Sequence, residues 1–251
     1  MNASQRVPWR TRRVAVAALA IGLTAATTTY VMAQQDVSGT DSGESTKFNV
    51  VGDGDLPTSK PKLGADRATL SAEETGYAIH VASTDASIPA DATDVRGKAG
   101  PEFLYADLPD LGDDYTGRKA VVALYDYTHD VAYDQVVDLG AGKVVDSTKS
   151  AKAQPPTSAT EADLAMRIAV ESDEKLAFKA EFEENMGVPL IDPDQVDYVA
   201  GSWVFNKTTA KGKECGEDRC AQLMVSTASG VYLNTFDFIV NLSTQKIVRT
   251  Q

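Results

Sequence analysis

Apolar and polar residues follow the same order in both halves of this chain: a capped helical stretch, then short runs at strand spacing, then a hairpin. Ser71-Ala72-Glu73-Glu74 places Ser and Glu at capping-box spacing, where each side chain satisfies the other's orphan backbone N–H. A helix is expected to follow through about Val81, with Tyr77 and Val81 on one face and Ala78 beside them. A looser stretch rich in Asp, Ala, Gly and Pro leads to Pro101. Strands are then expected over 103–108, 119–127, 131–139 and 143–147. The continuous apolar run Ala120-Val121-Val122-Ala123-Leu124 suits a central strand buried on both faces. Tyr127-Thr128-His129-Asp130 reads as a turn and Gly140-Ala141-Gly142 as a hairpin tip.

After Pro155-Pro156 the order repeats. Ser158-Ala159-Thr160-Glu161 is a second capping box, before a helix holding Leu164, Ala165, Ile168 and Ala169. Ser172-Asp173-Glu174 breaks and restarts that helix. The restarted part carries Leu176, Lys179, Ala180 and Glu183 on one stripe and Phe178 and Phe182 on another, and Gly187 is its expected C-terminal cap. Strands are expected over 196–205, where Trp203 and Phe205 alternate with polar neighbours, and over 221–227, 231–242 and 246–250.

The hairpins match residue by residue. Val136-Val137-Asp138-Leu139-Gly140-Ala141-Gly142-Lys143-Val144-Val145 recurs, about 100 residues on, as Ile239-Val240-Asn241-Leu242-Ser243-Thr244-Gln245-Lys246-Ile247-Val248. Tyr133 precedes the first as Phe236 precedes the second. This period fits a duplicated domain, not a solenoid. Each half therefore reads as a helix plus a four-stranded antiparallel sheet with one face covered, an α+β arrangement of two tandem units, 68–153 and 154–251. Each unit is near the lower size limit for an independent core, so a shared interface is expected.

Residues 1–33 hold no acid and read as an export signal: Arg6, Arg10, Arg12 and Arg13 lead, Val14 to Leu23 is apolar, and Val31-Met32-Ala33 ends in a cleavage step before Gln34. Thr11-Arg12-Arg13 resembles a twin-arginine signal, but Val14-Ala15-Val16 replaces the large apolar residues expected next, so Tat and Sec export both stay open. An uncleaved anchor is the alternative; the apolar stretch is interrupted by Thr24 well short of the ~20 residues a bilayer span needs. No cysteine lies near Ala33, which excludes a bacterial lipoprotein. Residues 34–67 are Gly-, Ser-, Thr-, Asp- and Pro-rich and read as a disordered linker.

Loss of the leader takes the formal charge from −12 to −16, since it removes four arginines and no acid. Such a chain disfavours nucleic acid and anionic membrane surfaces, both polyanions. Cys215 and Cys220 bracket a polar turn and, in an oxidising compartment, most simply pair as a disulfide. A metal site there would need two further ligands, and the chain has two histidines, His80 and His129. His129 beside Asp126 and Asp130 invites an acid–base reading, weighed against a polar turn with solvated side chains. His80 closes the first helix, where a cation complements the dipole. Neither the acids Asp107, Asp110, Asp113 and Asp114 nor Asp192, Asp194 and Asp197 match the spacing of a calcium loop. No nucleophile elbow, phosphate loop or His-Glu-x-x-His occurs.

The run Ala120 to Asp126, the hairpin Val136 to Val145 and Gln154-Pro155-Pro156 together are similar to the N-terminal domains of copper amine oxidases. The helix after Pro156, Asp192-Pro193 and the hairpin at Val240-Asn241-Leu242 fall in the order of the second such domain. The resemblance covers about residues 68 to 251 and implies two cystatin-like α+β domains. Those enzymes place three histidine copper ligands and an Asn-Tyr-acid topaquinone motif in a later domain. This chain stops where that domain would begin and has no such tyrosine; Tyr133-Asp134 follows Ala132. No activity or cofactor is carried over. The resemblance implies a secreted, non-enzymatic binding or scaffold protein, whose partner is an extracellular protein, a cell-envelope component or a second copy. The alternatives are an inhibitor or accessory subunit of an extracellular enzyme, PepSY-like or cystatin-like, and, remotely, an amine oxidase subunit. Gln135-Val136-Val137-Asp138 approaches the cystatin wedge motif, but Leu139 stands where glycine is due and the stretch reads as strand body.

Overall fold

The computed structural model describes residues 56–110, 116–205 and 211–250. The chain folds as α+β, with one four-stranded and one five-stranded antiparallel sheet. Strands β1 (Glu102–Asp107), β2 (Lys119–Asp126), β3 (Val131–Asp138) and β4 (Lys143–Ala151) form a meander in chain order. Helix α1 (Ala72–Ser83) lies across one face. Tyr77, Ala78, Ile79 and Ala82 pack there on Ala120, Val122, Leu124, Tyr133, Val137 and Leu139. The strand alternation puts these residues on one side because successive side chains point to opposite faces.

The second sheet is built from β5 (Asp197–Ser202), β6 (Cys220–Ser226), β7 (Tyr232–Leu233), β8 (Phe238–Asn241) and β9 (Lys246–Arg249). Its order is β5-β6-β8-β9, with β7 also paired to β6. Helices α2 (Ala159–Glu171) and α3 (Ala177–Met186) cover the inner face. Ala165, Met166, Ala169, Phe178 and Phe182 meet Leu223, Val225, Phe238 and Val240 in one core. Gly187 ends α3 in the left-handed conformation, with φ of 71°.

Both hairpins form as the sequence implies, and their correspondence extends to single bonds. Asp138 pairs with Lys143, and Asn241 with Lys246. Asp138 Oδ1 accepts from Ala141 N, as Asn241 Oδ1 accepts from Thr244 N, each at 2.9 Å. The Leu139 N–H donates to the Arg118 carbonyl, and the Leu242 N–H to the Arg219 carbonyl.

Several boundaries differ from expectation. The expected strand 231–242 is broken between β7 and β8, which gives the second sheet five strands, not four. Side chains replace the ladder there: Thr235 Oγ1 donates to the Leu223 carbonyl, and Gln222 Nε2 to the carbonyls of Thr235 and Phe238. Phe236 is consequently turned out, 75% exposed, while Tyr133 is buried, so the sequence match does not extend back from the hairpin. Strand β5 stops at Ser202, and Trp203 packs instead on Cys215, Cys220 and Ile239. Strand β4 runs on to Ala151. Residues 56–67, expected to belong to the linker, lie against the first unit: Leu56 and Leu63 pack on its core, and Lys60 Nζ donates to the Gly140 carbonyl. The leader with Ala33 and Gln34, most of the linker, and Asp113 and Asp114 lie outside the described residues. Among the described residues no helix is long and apolar enough to cross a membrane.

Candidate functional site at the junction of the two sheets

The capping boxes of α1 and α2 are each completed by an arginine that directly precedes a strand. Ser71 caps α1 reciprocally with Glu74, and Ser158 caps α2 reciprocally with Glu161. Glu74 is gripped by Arg118, whose Nε and Nη2 donate to its two carboxylate oxygens at 2.8 and 2.7 Å. Arg118 also donates to the carbonyls of Ala65, Asp66, Ala68 and Thr69, so it straps the incoming chain to the helix start. Glu161 is held by Arg219 in the same way, through Nη2 at 2.7 Å and through Nε. Arg219 in turn donates to the carbonyls of Pro155 and Pro156. Both pairs are buried, with every guanidinium bond charge-assisted. The bonds to Arg118 draw the Glu74 carboxyl down to about 2. For Arg219 burial pulls downward, but the hydrogen bond and charge of Glu161 outweigh it and raise its value.

The second box is also where the two units meet. Arg219 lies over the Tyr125 ring, 4.9 Å from its centroid, and Tyr127 Oη donates to Glu161 Oε1 at 2.6 Å. Tyr125 is the penultimate residue of β2 and Tyr127 directly follows the strand, and burial raises both phenols. Glu102, the first residue of β1, accepts from Ser158 Oγ at 2.7 Å and from the Val95 N–H at 3.4 Å. Burial pushes the Glu102 carboxyl up to about 7, the Glu161 charge adds to the rise, and the Ser158 bond opposes it. Around this centre Ser243 meets Asp130, Gln245 Nε2 donates to the Val95 carbonyl, and Arg96 pairs with Asp163 at 2.8 Å. The shared interface expected from unit size is therefore present, and it is polar at its heart.

A carboxyl held near neutrality has the value of a general acid–base. Glu102 is nevertheless 4% exposed, with both oxygens engaged in the packing. It can exchange a proton with solvent when the junction opens, but it offers no face to a substrate.

The other candidates are scattered. His129 Nδ1 meets Asp126 Oδ2 at 2.6 Å, and that bond raises the imidazole above its usual value. Asp126 is fully buried, contrary to the expected solvated turn, because it ends β2 and its Oδ1 accepts from the N–H groups of Thr93 and Thr128. His129 Nε2 faces Asp91 at 3.8 Å. His80 lines a shallow groove of about 330 Å³ with Tyr77, Asp85 and Lys143. Cys215 and Cys220 form the expected disulfide. Gln135 is buried in β3 and donates to Ser87 Oγ, so it is not a protruding wedge. Asp192 Oδ1 accepts from the Asp194 N–H as a local cap. Among the described residues no group of three or more His, Cys, Asp or Glu is placed to hold a metal ion.

Among the described residues, nine of the ten exposed large apolar side chains lie in the second half of the chain, including Val199, Met224, Tyr232 and Phe236.

No protein-family model matches the sequence, and comparison with curated proteins found no match. Among solved structures, the chain is similar to a copper-containing benzylamine oxidase from Hansenula polymorpha. The identity is 14% and the TM-score 0.36, over 73% of this chain and 29% of the oxidase. The chain spans less than a third of that enzyme's length, and a likeness at this level carries no argument about activity.

Sequence reasoning placed Ser71, Glu74, Ser158 and Glu161 but missed Arg118, Arg219 and Glu102. One signal was available: a single arginine directly precedes the central strand of each sheet, as Arg118-Lys119-Ala120 and Arg219-Cys220-Ala221.

Proposed function

We propose that this chain is an exported, non-catalytic scaffold or binding protein, made of two cystatin-like α+β units of the kind that precede the catalytic domain of copper amine oxidases. The observation that supports this reading is the pair of buried Arg–carboxylate boxes. These buried charged groups tie helix starts to strand starts, and through Tyr125 and Tyr127 tie one sheet to the other, which favours rigidity over chemistry. Buried ion pairs of this kind are weak devices for net stability and better suited to fixing one arrangement. The disulfide favours an oxidising compartment. The test is an oxidase assay on the purified chain reconstituted with copper, with benzylamine as substrate and peroxide as readout. No turnover above a copper-only blank is expected, and peroxide release in proportion to protein overturns the reading.

A further inference from the structure

The two halves of the chain meet at a narrow place. Among the described residues, helices and strands pack extensively only within their own half. The halves are joined chiefly by Val95, which enters the core of the second, and by the polar cluster around Glu102 and Glu161. The covalent connection is short. Strand β4 ends at Ala151, and the Lys152 N–H still donates to the Asp130 carbonyl of the first half. From Gln154 onward the second half holds the chain: Gln154 Nε2 donates to the Asp218 carbonyl, and Arg219 to the carbonyls of Pro155 and Pro156. Between these grips lie Lys152 and Ala153, with Lys152 in the left-handed conformation at φ of 57°. The Lys152–Glu217 ion pair spans the same place, but both side chains are exposed and such a pair restrains little.

Charge at the meeting point is unbalanced. Glu102 from the first half and Glu161 from the second are buried beside one guanidinium, and Arg219 gives its Nε and an Nη2 donor to Glu161. The partners of Glu102 are a hydroxyl, Ser158 Oγ, and an amide, the Val95 N–H. The loop 93–99 adds Asp94, whose charge opposes ionisation of Glu102, together with exposed Lys98 and an Arg96 that pairs with Asp163. From the end of β2 come Tyr125 and Tyr127, phenols that burial keeps protonated. Once Glu102 ionises, the two buried acids exceed the one guanidinium by a negative charge, which the interior disfavours.

We propose that this junction is a pH-operated latch: protonated Glu102 keeps the halves clasped, and its ionisation lets the second half swing on Lys152-Ala153, parting Ser158 from Glu102 and Tyr127 from Glu161. Arg219, Glu161 and Ser158 all belong to the second half, so the capping box of α2 survives the movement. Water then reaches Glu102, and the cluster of Leu104, Ala123, Tyr125 and Ala132 is uncovered. Burial lifts the clasped carboxyl to about 7 from an ordinary 4.5. The clasped form is therefore favoured at low pH and loses that advantage as pH climbs through the interval. The latch needs no partner and stands apart from the binding reading above.

Single-molecule energy transfer tests this on the full chain. Val145 and Met224, one exposed residue in each half, are replaced by p-acetylphenylalanine and carry the donor and acceptor dyes. The ratio of swung to clasped molecules should rise about 70-fold from about pH 5 to about pH 8.5, levelling off above about pH 7.5, while circular dichroism remains native. In Glu102→Gln the ratio should change less than about twofold over the same range. A single distance in the wild type at every pH overturns the proposal, and so does an equal rise in Glu102→Gln. Should that variant fail to fold, the wild-type profile decides: a rise that levels off above about pH 7.5 supports the latch, and any other profile overturns it.

Discussion

Replacing Glu102 with Gln should change how the stability of this protein depends on pH, and the size of the change follows from the junction. The carboxyl sits at about 7 in the fold, against an ordinary 4.5, because burial and Glu161 both disfavour its charged form. A folded-state value above the unfolded one means that protonation favours the fold. This stabilisation is complete below the unfolded value, drains as pH rises through the interval, and is gone once pH exceeds about 7. At about 1.4 kcal/mol per pH unit the whole interval amounts to about 3 kcal/mol. Glu102→Gln keeps the shape but cannot ionise. Urea unfolding followed by circular dichroism, at about pH 5 and about pH 8.5, should therefore show the wild type losing about 2.5 kcal/mol more than the variant, since a little of the interval already lies below pH 5. His129 titrates in an overlapping window with the same sign, since Asp126 raises it, but its contribution is common to both proteins and cancels. Equal losses in the two proteins would refute the account of Glu102 as an uncompensated buried acid.

Arg118→Met and Arg219→Met should each cost about 3–5 kcal/mol in denaturant unfolding, because each leaves a buried carboxylate unpaired. The double change Glu161→Gln with Arg219→Met should cost less than the sum of its parts, which a double-mutant cycle measures directly. Cys215→Ser with Cys220→Ser should lower stability by about 2 kcal/mol, the chain-entropy value for so short a loop, and reductant should do the same to the wild type. Gly142→Ala should destabilise by about 1–2 kcal/mol or more, because φ is 64° there and a Cβ would run into Tyr77 Oη. Adding Tyr77→Phe should recover part of that loss in thermal unfolding.

The fold was legible wherever local chemistry decides it. Both capping boxes, the break between α2 and α3, the Gly187 cap and both hairpins stand where the pattern puts them, because each is specified within a few residues. What escaped was decided at a distance. Arg118 reaches back 44 residues to Glu74, and Arg219 reaches 58 residues to Glu161, separations that no local pattern encodes. Glu102 escaped because a charged residue is an unpromising start for a buried strand; only the neighbouring unit makes that position internal. The break between β7 and β8 escaped because it depends on Gln222 and Thr235, whose side chains serve as backbone surrogates. The candidate site lies where the two sheet-bearing halves touch, so a reading of each half alone does not reach it.

The paired boxes also constrain how this sequence can drift. If either Glu74 or Arg118 changed alone, a bare charge would remain in the interior, and the same holds for Glu161 and Arg219. A lineage therefore has no easy single step away from either pair, although replacing both members at once by apolar residues is tolerable. Strand residues around them can exchange Val for Ile or Leu at little cost. Across distant relatives of this chain, Ser-x-x-Glu before a helix and a lone Arg before a central strand should outlast almost every other sign of common ancestry. Aligned on those two points, chains whose overall identity has decayed to noise would still declare their kinship.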